Sequence, residues 1–294
     1  MTTLPLRSLQ SLQSVDTCDL PDASIRLVAT DLDGTLLRSD GSVSDRTRAL
    51  LASLRERGIP LVMVSARPPR DLRRIAASVG VAGVAVGCNG ALLYDTASDC
   101  ILDHWPLSAE VATRLAITLR QTLPDVCFAI ENGLYAGWES GYLAIRGREP
   151  QPEDYIADAL TLCSTPISKL LVRHPTLGAD ELLAVGREVA GEDAVATHSG
   201  SRLLEISAPG VDKATALAAL CARLEIAPAS VVTFGDMPND VPMLRWAGLG
   251  IAVANAHSDA LAAADAVTAS NNDDGLAVAL ETLFARQRTL NGGA

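Results

Sequence analysis

The chain has 294 residues, of which 48% are hydrophobic and 20% charged. That supply of apolar material excludes a disordered, collagen-like or low-complexity chain and suffices for one large or two small domains. A formal net charge of −11 repels phosphate backbones and anionic lipid at long range, and aromatics make up only 3%, so neither a nucleic-acid nor a membrane partner is expected.

Residues 1–24 are rich in Ser, Gln, Asp and Thr and lack the basic and apolar regions of a signal peptide. They are expected to form a loose N-terminal extension. No apolar run reaches membrane-spanning length. The six cysteines, at 18, 88, 100, 127, 163 and 221, form no C-x-x-C pair and read as buried small apolar residues of a reducing compartment, which predicts a cytoplasmic protein. Of the 24 basic residues 22 are arginine, a bias read here as coding composition; Lys169 and Lys213 are the two lysines.

The first strong element is an apolar run over 25–30, a buried strand ending at Asp31. Ser44 can cap a helix over 45–57 that sets Leu50, Leu51 and Leu54 on one face, and Gly58 closes it. A second strand over 59–64 ends at Ser65, and a helix over 70–78 and a third short strand over 84–86 follow. This alternation predicts a parallel sheet covered by helices on both faces. Asn89-Gly90 leads into a hairpin of 91–94 and 100–105. A helix over 108–123 precedes strands at 126–130 and 134–138 around the turn signal Asn132-Gly133. Residues 169–173, 179–190, 194–197 and 202–206 read as strand, helix, strand, strand. The opening rhythm then returns: helix 213–224, strand 231–234, helix 238–246, strand 249–253 and a closing helix 275–286. The predicted class is α/β, a doubly wound (Rossmann-like) parallel-sheet core built from 25–105 and 209–294, with 106–208 inserted as an α+β domain.

Four segments carry chemistry. Asp31-Leu32-Asp33-Gly34-Thr35-Leu36-Leu37 directly follows a buried strand, where open parallel sheets bind ligands. Asp33-Gly34 alone would read as a turn, but that leaves the second carboxylate, Asp31, unexplained; a cation would neutralise the pair. Gly235-Asp236-Met237-Pro238-Asn239-Asp240 also follows a strand. Asp236 or Asn239 could serve as a helix cap, yet Asp236 and Asp240 joined by Asp31 make an oxygen set suited to magnesium. Ser65, with Arg67 close behind, suits a phosphate at a helix start, though alone it would read as a cap. Lys213 opens a helix, where the dipole disfavours a cation; a neighbouring anion explains it better than a solvated side chain does.

Together these segments resemble the haloacid dehalogenase superfamily of phosphohydrolases, with Asp31–Leu36 as its first motif, Ser65 its second, Lys213 its third and 235–240 its fourth. The likeness is closest to the Cof-type branch, whose large α+β cap is inserted between the second and third motifs. Asn89-Gly90-Ala91, Lys169 in a cap strand, Glu205-Ile206, 210–213, Val253-Ala254-Asn255-Ala256 and Asn272-Asp273-Asp274-Gly275 extend it over about 27–284. Ala66 and Ala214 stand where the family often has glycine.

The resemblance implies a hydrolase, a Mg²⁺-dependent phosphatase, with Asp31 as nucleophile forming an aspartyl-phosphate and Asp33 as acid and base. It implies metal ligation by Asp31, Asp236, Asp240 and the Asp33 carbonyl, and phosphoryl binding by Ser65, Ala66, Lys213 and Asn239. The cap would select a small phosphorylated metabolite, most often a sugar phosphate, with Lys169, Glu131, Trp138 and Arg146 as candidate contacts. Trp138 reads equally well as cap core, and Arg146 as a surface residue. Two alternatives use the same residues: a phosphotransferase or phosphomutase, and a non-catalytic phospholigand-binding protein. No P-loop, zinc-hydrolase or G-x-S-x-G signature is present. The sequence carries no signal separating a monomer from a weak dimer.

Overall fold

The computed structural model describes residues 25–200 and 202–291; the extension expected over 1–24 lies outside them. In chain order, β1 (Leu27–Thr30) leads to α1 (Asp45–Glu56), β2 (Leu61–Met63), α2 (Pro69–Val79) and β3 (Val84–Gly87). The hairpin β4 (Leu92–Asp95) and β5 (Cys100–His104) precedes α3 (Ala109–Thr122). Then come β6 (Cys127–Asn132), β7 (Tyr135–Trp138), α4 (Ser140–Arg146), β8 (Tyr155–Ile156), α5 (Ala159–Leu162), β9 (Lys169–Arg173), α6 (Ala179–Ala190), β10 (Val195–Thr197) and β11 (Leu204–Ser207). The last elements are α7 (Lys213–Arg223), β12 (Val231–Gly235), α8 (Val241–Trp246), β13 (Leu249–Val253), α9 (Ser258–Ala263), β14 (Ala266–Thr268) and α10 (Gly275–Asn291).

The chain divides into two compact units. The first takes the described residues up to Ser65, Arg74–Ala85 and the described residues from Leu217 onward. Its five-stranded sheet has the order β14-β13-β12-β1-β2, all parallel. β1, β12 and β13 are buried along their whole length, which is why they read as unbroken apolar runs rather than alternating ones. The chain leaves β1 toward β2 and later returns on the other side of β1 as β12. The carboxyl ends of β1 and β12, paired at Thr30 and Phe234, are therefore the switch point where such sheets open a crevice. Ser44 caps α1 by accepting from the Thr47 N–H at 3.0 Å, and Gly58 turns the chain at φ +69°. α1 packs along α10, where the Arg57 guanidinium lies 4.5 Å from the Phe284 ring centroid.

The second unit comprises Ala66–Arg73 and Val86–Ala216. Its six-stranded sheet has the order β10-β11-β9-β6-β7-β8, antiparallel except for the parallel pair β7 and β8. α3 packs against α5 and α6, and α6 covers β10 and β11. Ala129, Trp138, Tyr142, Leu143 and Leu171 form a buried cluster beside α4.

Three local readings change. β3 joins the sheet β3-β4-β5 rather than the five-stranded one, because the tight turn at Cys88–Gly90, with Asn89 at φ +58° and Gly90 at φ +100°, brings the chain straight back beside it. Residues 238–240 form a 3-10 turn ahead of α8, closed by the Asp240 N–H to the Met237 carbonyl at 2.9 Å. Cysteines 88, 163 and 221 are buried as expected, but Cys100 is exposed and Cys127 half-buried; Cys100 opens β5, whose residues are mostly exposed or half-buried.

Candidate active site

In the first unit, the ladder continues past the ends of the strands. The Asp31 N–H donates to the Phe234 carbonyl at 2.9 Å, and the Val64 N–H to the Thr30 carbonyl at 2.9 Å. Asp31 is thus held rigidly at the tip of β1, and Ser65, itself buried, follows the tip of β2. Gly34 then turns at φ +86°, and the Leu37 N–H closes the loop onto the Leu32 carbonyl at 2.8 Å.

Asp31, Asp236 and Asp240 converge here. One carboxylate oxygen from each lies within 4.8 Å of the others, and all three residues are buried. Asp240 uses Oδ2 to accept from the N–H groups of Asp236 and Met237, at 3.0 and 2.9 Å. Asp236 accepts from the Thr35 hydroxyl through Oδ1 at 2.6 Å. Three anionic side chains this close and this poorly solvated repel one another unless a cation offsets them. Carboxylate oxygens are the ligands that hard divalent cations take, so the residues present fit a divalent metal. Asp33, two residues beyond Asp31, is exposed, and Asn239 is buried in the turn that carries Asp240.

A second ring of contacts supports this loop. The Asn255 side-chain amide donates to the Gly34 carbonyl at 2.8 Å and accepts from the Asn271 N–H at 2.9 Å. Asn271 in turn donates to the Leu37 carbonyl at 2.9 Å, Arg38 pairs with Asp274 at 2.8 Å, and the His257 N–H holds the Asp236 carbonyl at 2.7 Å. Thr35, Asn255 and Asn271 were not assigned roles from sequence. Thr35 and Asn255 lie in segments singled out there, but bonds spanning more than 200 residues, such as Thr35 to Asp236, leave no local pattern.

The second unit holds the other candidates. Lys213 opens α7 and is fully buried, which removes the solvated reading, since a buried ammonium must be compensated. Gly90 packs against the backbone that leads into it: a Cβ there would run into the Asp212 backbone carbonyl. Lys169 is buried in β9; its ammonium donates to the Glu205 carboxylate and to the Ala66 carbonyl at 2.6 Å. Burial would lower the Lys169 ammonium, but the Glu205 charge holds it above the ordinary lysine range. Burial would raise the Glu205 carboxyl, but Lys169 and the Ser199 hydroxyl hold it below the ordinary range. Glu131 is buried under a two-pronged contact from Arg70, at 2.7 and 2.6 Å. Trp138 belongs to the buried cluster beside α4, and the Arg146 guanidinium sits 5.7 Å from its ring centroid. Burial pushes the Cys88 thiol up to about 12, so it is inert near neutral pH.

Residues 28–280 match the family profile of haloacid dehalogenase-like hydrolases. Bacillus subtilis 5-amino-6-(5-phospho-D-ribitylamino)uracil phosphatase YcsE is 26% identical over 88% of this chain and 96% of its own length. A putative phosphatase of Haemophilus influenzae is 28% identical over 88% of this chain and 98% of its own. The solved structure of SMU.1108c from Streptococcus mutans superposes with a TM-score of 0.78 at 25% identity, covering 89% of this chain and all of that one. With its acidic cluster at the switch point of a parallel sheet and a profile match spanning most of its length, the chain belongs to the haloacid dehalogenase-like hydrolase family, as its Cof-type resemblance implied.

Proposed function

We propose that the protein is a magnesium-dependent phosphomonoester hydrolase that works through an aspartyl-phosphate on Asp31 and acts on a small phosphorylated metabolite of the sugar phosphate class. The buried convergence of Asp31, Asp236 and Asp240 at the ends of β1 and β12 carries the reading. Asp31, Asp236, Asp240 and the Asp33 carbonyl would hold the cation. When bound, it supplies charge neutralisation for the phosphoryl oxygens and orients them, which is most of what phosphoryl transfer needs.

The chain's own residues do the rest. Asp31, fixed by its backbone to β12, attacks phosphorus in line with the departing oxygen. Asp33 delivers a proton to that oxygen and then takes one from the water that cleaves the acyl phosphate. Ser65, the Ala66 backbone, Lys213 and Asn239 bind the phosphoryl oxygens. Residues 106–208 serve as the cap that selects the alcohol. A relative named for a phosphate ester on a ribityl chain supports the substrate class, and the cytoplasm is where such esters are found.

The test is phosphate release from a panel of phosphometabolites and p-nitrophenyl phosphate, with and without Mg²⁺, by wild type and Asp31→Asn. Magnesium-dependent release that disappears in a folded Asp31→Asn protein supports the reading. Retained activity in the variant would sink the nucleophile assignment, and phosphoryl transfer to a second sugar without release would favour the transferase.

A further inference from the structure

Lys169 is largely committed to the protein itself. It sits in the middle of a sheet, in a strand where burial favours apolar side chains, and two of its three ammonium donors are committed to the Glu205 carboxylate and the Ala66 carbonyl. We propose that Lys169 is a positioning residue: anchored by Glu205, it fixes the Ala66–Arg67 peptide, one residue beyond Ser65, and so orders the turn whose backbone donors face the phosphoryl group. The inference rests on the reading of Ser65 and Ala66 as phosphate-binding.

The argument starts at the backbone. The sheet still holds Val64, whose N–H bonds to the Thr30 carbonyl, and α2 starts at Pro69, so the peptides from Ser65 to Pro68 have neither a strand nor a helix to orient them. A peptide is planar and trans, so a charged donor on the Ala66 carbonyl also sets the direction of the Arg67 N–H. The Arg67 carbonyl is fixed in its turn by the Cys88 N–H at 3.0 Å. Further along, Arg70 grips Glu131 with both prongs, and Glu131 stands opposite Lys169 in the β6 and β9 register. Residues 66–70 are therefore tied to the six-stranded sheet at both ends, each time by a charged group that the sheet buries.

The anchor is itself built. Glu205, in the neighbouring β11, also receives the Ser199 hydroxyl and the Asn89 side chain, so its carboxylate is held by donors besides Lys169. Both members are held in their charged forms. An ion pair in a sheet interior is costly relative to an apolar pair; a contact that directs a phosphate-binding turn gives a reason for retaining it. A lysine whose chief task was to read substrate hydroxyls would not commit two of its three donors to the protein.

Two readouts separate these roles in the full-length protein. The first is kinetic, with Lys169→Met, Lys169→Arg and Ser199→Ala. A positioning residue acts on the phosphoryl site shared by all substrates. Lys169→Met is expected to lower kcat on the order of 100-fold by misplacing the turn, by the same factor for a sugar phosphate, an alkyl phosphate and p-nitrophenyl phosphate, with KM changed far less. Lys169→Arg restores part of the rate, because a guanidinium can still bridge carbonyl and carboxylate, and Ser199→Ala gives a smaller, equally substrate-independent loss. A loss confined to polyol substrates overturns the inference and returns Lys169 to substrate contact. The second readout is amide exchange at Ala66 and Arg67, which needs no turnover: it is expected to speed up in Lys169→Met, or in Ser199→Ala should the methionine variant not fold. Active wild type with unchanged exchange and rate in the variants refutes the positioning role. Faster exchange in the variants of a protein whose wild type neither releases nor binds inorganic phosphate would instead refute the phosphatase reading.

Discussion

One absent methyl group shapes the acidic site. Gly34 adopts φ +86°, and a Cβ there would meet the Asp236 carboxylate. Gly34→Ala is expected to cost about 1–2 kcal/mol through the left-handed backbone alone, and to weaken Mg²⁺ binding by displacing Asp236; calorimetric titration with Mg²⁺ beside a thermal melt measures both. Asp240 has two tasks, closing its turn through Oδ2 and adding charge to the cluster. Asp240→Asn keeps a side-chain acceptor and removes the charge, so the fold should survive while Mg²⁺ affinity falls at least tenfold, about 1.4 kcal/mol; unchanged affinity would remove Asp240 from the ligand set. At this scale the site was partly legible. Asp31, Asp236 and Asp240 could be read because each follows an apolar run at a fixed offset. Thr35, Asn255 and Asn271 could not, since polar residues that bond across the whole length of the chain look like ordinary loop residues. Lys169 was legible as unusual for its strand, while its partners Glu205 and Ala66 depended on strand order.

The elements found from sequence are those with a long period or a cap. β1, β12 and β13 are buried on both faces, and α1 and α3 begin at Ser44 and Ser108, each accepting a bond from the first turn. β8, with two residues, and α5, with four, are too short for any periodicity, and α9 and β14 lie in a stretch rich in alanine and aspartate. Residues 238–246 read as one helix because they are apolar at helical spacing, but the opening proline and the Asp240 cap favour a 3-10 turn first. The Ser44 cap gives a prediction at this scale: Ser44→Ala should cost about 1 kcal/mol in urea unfolding and leave turnover unchanged, because α1 contributes no group to the proposed site.

For the whole molecule, the titrating groups define a pH window. Burial raises and Arg38 lowers the Asp274 carboxyl, which ends below 3.8, while Arg46 holds Glu281, and Lys169 holds buried Glu205, below 4.5. For groups so depressed, the stabilisation is present above the unfolded pKa and lost as the pH falls through the folded value. His104 follows the same sign: burial lowers it from 6.5, while its Nε2 contacts the Ser168 hydroxyl at 2.8 Å. Lys169 is raised above 10.5, so its contribution disappears only as the pH climbs through that higher value. Burial also holds the Cys88, Cys163 and Cys221 thiols above 9.0, so the unfolded chain ionises them first. Thermal stability should therefore be flat between about pH 7 and 8.5, decline above about pH 9, decline gently below 6.5 and fall steeply below 4.5; a rise on acidification from pH 7 to 5 would contradict these assignments. The central claim, that Asp31 carries the phosphoryl group, is tested most directly by quenching a reaction in acid within milliseconds of mixing enzyme, Mg²⁺ and substrate, then weighing the peptides. The account predicts one added phosphoryl group on the peptide containing Asp31, longer-lived in Asp33→Asn. Full turnover with the label on another residue, or on none, would contradict it.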